Sequence, residues 1–309
     1  MKKIFVLIFL SVIETDLVAQ GFETQTFGDK KDDPILFLHG GPGYNSVSFE
    51  QTTADELAKG GFFVISYDRR GEGRNDDLDA EYTFDETFED LNKIYENHDL
   101  KSATLIGHSF GGIIATLFAD KYPDKINGLI LTSVPVSMQK MFQNIIAKSK
   151  EIYTKKNDKV NLNYISMLEN MDSTSLEYAT YSFMHAMGND FYSAETLNDK
   201  AIDLYKKFNS DTLLKKYASK NESLAPQKFW ENEGYTSISI KKNLQNLLDS
   251  GVDIYGIYGK EDGLYSKEQV NNLKNILGND NLKYLENCSH NTFIDRQKEF
   301  IDAVNAWIK

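Results

Sequence analysis

What most constrains this chain is the succession, from residue 34 onward, of short apolar runs separated by stretches patterned as helices. Residues 35–38, 62–67, 103–107, 128–134, 252–258 and 282–285 each read as a strand without an alternating polar face. A strand of that kind has to be covered on both sides, which is the situation of a parallel sheet between two layers of helices. The intervening stretches supply the layers. They are 52–59, ended by Gly60-Gly61; 83–97, with Asp85 near its positive end; 110–122, stopped by Pro123; 267–277; and a closing helix through Trp307. The expected fold class is therefore α/β, a doubly wound and mostly parallel sheet.

One stretch breaks the alternation. Residues 136–240 show helical patterns and polar turns but no buried strand, which predicts a helical cap inserted after a mid-sheet strand. The core then comprises 20–135 and 241–309. The insert holds 13 lysines and 13 acids, so the net charge of −12 resides outside it. It also holds every methionine except the first: Met138, Met141, Met167, Met171, Met184 and Met187. These read equally as fillers of core gaps or as the lining of a pliable apolar pocket. A chain this acidic is a poor candidate for gripping phosphate backbones, so nucleic acid is not an expected partner. A single cysteine, Cys288, allows neither an intrachain disulfide nor a cysteine-based zinc site.

Met1-Lys2-Lys3 precedes an apolar run at 4–13 that only Ser11 interrupts. A basic start and a short apolar stretch have the form of a secretory signal, and the run is too short to span a bilayer. Residues 1–19 are thus read as an export signal, giving a periplasmic or secreted protein without stable membrane insertion. The alternative is a cytoplasmic protein in which residues 12–19 form a hairpin strand with 21–27.

The segment Gly107-His108-Ser109-Phe110-Gly111-Gly112 joins the end of one strand to the start of a helix. Glycines on either side of a serine allow a sharp reversal that projects the hydroxyl from the sheet, and the helix start aims free N–H groups at an anion forming there. Ser109 is the candidate nucleophile. It needs a base, itself held by a carboxylate, and on such an elbow these follow in the order Ser, Asp, His. The loop after the 252–258 strand offers Glu261 and Asp262, of which Asp262 is preferred. Of the five histidines, only His290 lies beyond the insert, in the loop after the last strand. It is the candidate base. His108 is read as a packing or supporting residue, His98 as a solvent or capping residue, and His185 as a packing residue of the insert. The loop His39-Gly40-Gly41-Pro42-Gly43 follows the 35–38 strand directly, and the N–H groups of Gly41 and Phe110 would converge on an oxyanion.

Together these segments resemble the α/β-hydrolase superfamily, and within it the proline iminopeptidase-like branch. The carriers are 39–43, Asp68-Arg69-Arg70-Gly71, 107–112, Asp262 and His290. The resemblance implies a catalytic triad of Ser109, Asp262 and His290, an oxyanion hole at Gly41 and Phe110, no cofactor or metal, and a helical cap over the site. It also implies cap glutamates that bind a substrate amine, for which Glu177, Glu231 and Glu233 are candidates. Two departures stand out: His108 and Phe110 flank the serine where proline-releasing members carry Gly and Trp, and Arg69 replaces a common glutamine. The expected function is a serine hydrolase working through an acyl-enzyme on a small molecule or short peptide, foremost an aminopeptidase releasing N-terminal proline or another small residue. A carboxylesterase or lactonase on the same residues is the alternative, and a non-catalytic binding protein the third reading.

Overall fold

The computed structural model describes residues 23–218, 220 and 224–309. The expectations placed on residues 1–19 lie outside this range. Seven strands form one sheet: β1 (Thr24–Phe27), β2 (Asp33–Leu38), β3 (Phe62–Tyr67), β4 (Ala103–His108), β5 (Ile126–Thr132), β6 (Ile254–Gly259) and β7 (Leu282–Leu285). Their order is β1-β3-β2-β4-β5-β6-β7, and only β1 runs antiparallel to its neighbour. Successive side chains on a strand face opposite ways, and here both faces are buried. Ile35 and Phe37 of β2 join Phe62, Val64, Ile106, Ile130 and Ile257 in one core, covered by the helical stretch 47–59 and by Gln297–Ile308. Leu36 and Leu38 join Phe63, Ile65, Leu105, Leu129 and Leu131 in the other, under Phe84–Asn97, Phe110–Lys121, Lys241–Asp249 and Lys267–Leu277.

Several boundaries differ from the sequence pattern, and two of the differences have a visible physical reason. β5 ends at Thr132 rather than at Val134 because Ser133 takes φ 50° and leaves the extended region. The helix expected at 52–59 begins at Val47 and passes through a π-helical turn, Glu50–Ala54. Its start is held by Ser46, whose N–H donates to Asp68 at 2.8 Å, and by Glu50, which accepts from Arg74 and Ser66.

Between β5 and β6 the described residues contain no strand. Helices Met138–Lys155, Lys159–Leu168, Leu176–Gly188, Asp199–Lys207 and Thr212–Tyr217 follow one another, each opened by a Ser, Asp or Asn (137, 158, 175, 198, 211) whose side chain accepts a backbone N–H of the first turn. Such caps satisfy donors that a helix start leaves unpaired, each by about 1 kcal/mol. Leu224–Glu233 completes the series. The chain leaves and re-enters the core at one neck: Ser137 bridges Ser239, Met138 donates to Ile238, and Ile240 donates to Val136. The methionines divide. Met138 and Met141 are buried, whereas Met167, Met184 and Met187 are more than half exposed and neither fill the core nor line an enclosed pocket.

The chain passes from β2 to β3 on one side and then returns to place β4 on the other side of β2. In an open α/β sheet that reversal leaves a crevice at the strands' carboxyl ends, where ligands bind. The loops after β2 and β4 are the two carrying the 39–43 and 107–112 motifs.

Candidate active site

Ser109 stands between the last residue of β4 and the first of the helix Phe110–Lys121, with φ 52° and ψ −123°. A residue with a Cβ at positive φ stores strain on the order of 1–3 kcal/mol, and such strain is held where the surroundings over-determine it. They do so here. A Cβ on Gly107 would meet the Gly112 Cα at 2.4 Å, and one on Gly112 would meet the Val134 side chain at 2.1 Å. Strand and helix thus touch where glycine alone fits. The Ser109 N–H donates to Thr132 O at 3.0 Å, tying the bend to β5. Phe110 opens the helix, so its N–H has no intrahelical acceptor.

His290 comes from the loop after β7, at the sheet's far edge, and two contacts draw that loop across. His108 Nε2 donates to the His290 carbonyl at 3.1 Å, and Thr132 shares a hydrogen bond with Thr292. Phe293 packs edge-on against the His108 ring, with centroids 5.2 Å apart. Asp262, from the loop after β6, meets His290 Nδ1 through Oδ2 at 2.8 Å, and its Oδ1 accepts the Leu264 N–H at 3.0 Å. Both side chains are nearly inaccessible. A carboxylate has only acceptors to offer, so the hydrogen sits on Nδ1 and a neutral His290 keeps Nε2 as an acceptor. The competing acid, Glu261, instead accepts the Glu195 N–H.

His108 is itself held neutral. Burial, and then the nearby His290, push its pKa down to about 3. It therefore supports the backbone of His290 without competing for protons. The insert also reaches this corner. Gly263 donates to Phe191 O at 2.8 Å, Ser289 donates to the same carbonyl at 3.2 Å, and the Tyr192 ring stands edge-on to His290 with centroids 5.1 Å apart. Nothing in the periodicity around residues 191–192 signals this placement.

Gly41 has φ +117°, and a Cβ on Gly40 would lie 3.3 Å from the Ser109 Cβ, so the loop after β2 lies against Ser109. The Gly41–Pro42 bond is cis. His39 donates from Nδ1 to Gly40 O at 2.9 Å and accepts the Arg69 N–H on Nε2 at 3.1 Å. Burial, and then the Arg69 charge, hold its pKa well below the usual imidazole value.

Two of the three insert glutamates have other occupations. Glu233 accepts the Phe84 N–H at 2.7 Å, capping the helix that follows Thr83. Glu231 pairs with Lys228 and accepts from Gln227 on the surface, and Glu177 is an exposed residue in the first turn of its helix. Among the described residues no group of three or more His, Cys, Asp or Glu could hold a metal ion. His185 pairs with Tyr153 at 2.9 Å inside the insert, His98 with Thr24 at 3.0 Å, and Cys288 is a buried free thiol. A cavity of about 650 Å³ opens between Met138–Lys155 and Lys267–Leu277, and none of Ser109, Asp262 or His290 lines it. No helix among the described residues is long and apolar enough to cross a membrane.

Residues 33–297 match a family model described as the alpha/beta hydrolase fold. The chain is 27% identical to a proline iminopeptidase of Lactobacillus acidophilus, over 97% of its own length and 99% of the relative's. Among solved structures it resembles one reported with the carboxylesterases of Nitrososphaera gargenis (TM-score 0.59, 21% identity, 93% of each chain). It also resembles an N-acyl homoserine lactone degrading enzyme (TM-score 0.63, 17% identity, 93% of this chain and 96% of that one). At these identities the two structures speak for the fold.

Proposed function

We propose, for a chain that belongs to the alpha/beta hydrolase fold family and is a serine hydrolase, that Ser109 is the nucleophile, His290 its base and Asp262 the carboxylate that orients the base. The observation that carries this reading is the 2.8 Å contact from Asp262 to His290 Nδ1, delivered to the end of the strand where Ser109 is held at positive φ. His290 Nε2 takes the Ser109 proton as Oγ bonds to the substrate carbonyl carbon. The oxyanion then faces the N–H groups of Gly41 and Phe110, and each such donor is worth roughly 10²–10³ in rate. The imidazolium returns the proton to the leaving group, an acyl-enzyme forms, and water attacking by the reverse route releases the acid. Asp262 stays ionised throughout and stabilises the charged ring.

For the substrate, the reading that the full-length likeness to proline iminopeptidases supports is an aminoacyl amide or short peptide with a small N-terminal residue, proline foremost. A second reading, a carboxylester or lactone, is favoured by the occupation of Glu231 and Glu233 elsewhere, which removes two of the three carboxylates proposed to hold a substrate amine. A panel of proline naphthylamide, short acyl esters and lactones, run on wild type and Ser109→Ala, decides between them. Aminoacyl release lost in Ser109→Ala supports the first reading. Ester or lactone turnover without aminoacyl release rejects it and keeps the second.

A further inference from the structure

Arg69 is 3% exposed and Glu72 fully buried, at the carboxyl end of β3 rather than on it, and neither has a role in the chemistry above. Burying an ion pair costs several kcal/mol of desolvation per ion, so its presence is not explained by stability alone and what it holds in place becomes the question. What it holds is the loop after β2. Arg69 donates from Nη1 to His39 O at 2.8 Å and from Nη2 to Gly40 O at 2.6 Å. Its Nε and Nη2 grip the two Glu72 oxygens at 3.0 and 2.8 Å, and Glu72 in turn accepts the Gly43 N–H at 3.0 Å. The same guanidinium lies 5.6 Å from the centroid of the Phe110 ring.

The geometry has a direct consequence for Gly41. The Gly40–Gly41 peptide is not among the cis bonds, and in a trans peptide the C=O and N–H point in opposite directions. With the Gly40 oxygen held by Arg69, and also by His39 Nδ1, the Gly41 N–H is turned to the side away from the guanidinium. The loop that carries it lies against Ser109. Arg69 thus touches both halves of the oxyanion site, aiming one donor through its own carbonyl and bracing the residue that supplies the other.

We propose that the buried Arg69–Glu72 pair is the positioning device of the oxyanion hole. It acts on the transition state through Gly41 and Phe110 without touching substrate. Lysine at position 69 carries the charge, but it lacks the planar fork that serves four acceptor oxygens at once. The inference rests on the serine-hydrolase reading of this site.

The test compares wild type with Arg69→Gln and Arg69→Lys, and with Glu72→Gln, which keeps an acceptor for Gly43 and nearly the same shape. Exhaustive labelling with a fluorophosphonate, read by intact mass, counts competent sites. Turnover of an acyl ester is then expressed per labelled site, and inhibition by an alkyl boronic acid, whose tetrahedral adduct places an oxygen in the hole, is measured alongside. The expected result is full labelling at a slower rate, kcat per site lower by roughly 10- to 100-fold with KM little changed, and boronate inhibition weakened in step with kcat. A lower melting temperature with kcat per site and boronate affinity unchanged would make the pair merely structural and overturn the proposal. Glu72→Gln is judged by the same two readouts if the Arg69 variants do not fold. Wild type that neither takes the label nor turns over ester would instead overturn the reading on which the proposal rests.

Discussion

In the proposed mechanism Asp262 acts through a single hydrogen, the one on His290 Nδ1. Asp262→Asn keeps the size but brings a donor amide to that nitrogen, which favours the tautomer with the hydrogen on Nε2, where the serine proton must go. The expected loss of kcat is on the order of 10⁴, with fold intact by circular dichroism. A loss below tenfold would remove Asp262 from the mechanism. His108 bears on stability instead. Its pKa in the folded chain, about 3, lies below the 6.5 it has when exposed, so protons favour the unfolded chain. Its contribution is complete above about pH 6.5 and drains as pH falls toward 3, by about 1.4 kcal/mol per pH unit in mid-range. His108→Gln still offers a donor to the His290 carbonyl and does not titrate, so denaturant midpoints measured between pH 7 and 4 should fall less steeply than in wild type. His39, lowered in the same direction, leaves the remaining slope a positive sign. Identical slopes would mean that His108 is not the buried neutral group described here.

Among the elements, the elbow is the least forgiving. Gly112→Ala would bring a methyl to 2.1 Å from a Val134 methyl that is itself 1% exposed and has nowhere to go. A destabilisation of about 1–3 kcal/mol follows from overpacking, together with lost activity because the helix start must shift. Unchanged melting and turnover would show that the strand–helix contact yields. The elbow was legible from residue order because its constraint is local: glycine spacing, a strand before and a helix after. The six parallel strands were legible for a similar reason, as apolar runs that need no partner to be recognised; the antiparallel edge strand β1, partly exposed, was not among them. His290 could be reached by elimination among five histidines. What could not be read is long-range. Arg69 and Glu72 sit three residues apart like any surface pair, and nothing local says that the guanidinium reaches the carbonyls of residues 39 and 40. Tyr192 meets His290 across 98 positions by way of the insert's folding. Met167, Met184 and Met187 misled because their side chains suit core and surface alike, and exposure is decided by which neighbours arrive.

At the scale of the whole molecule, the fold solves a delivery problem. The loop of Gly40 and Gly41 and the elbow of Ser109 emerge from adjacent strands at the point where the sheet order reverses, so their proximity follows from topology. His290 does not share that advantage: β7 is three strands from β4, roughly 14 Å at ordinary strand spacing. His108, Thr132 and Phe293 bridge that gap, and the insert adds Phe191 and Tyr192 from above, stitched to the loops of Asp262 and His290. The helical insert is therefore tied to the loops of Asp262 and His290 through hydrogen bonds to the Phe191 carbonyl. Ser109 is proposed to be the group those loops converge to activate. Reaction of the folded protein with a fluorophosphonate, followed by peptide mapping, tests it most directly. One adduct, on Ser109, formed by wild type and lost on His290→Gln, is the predicted result; an unreacted Ser109 in folded wild type, or an adduct placed on another residue, would contradict it.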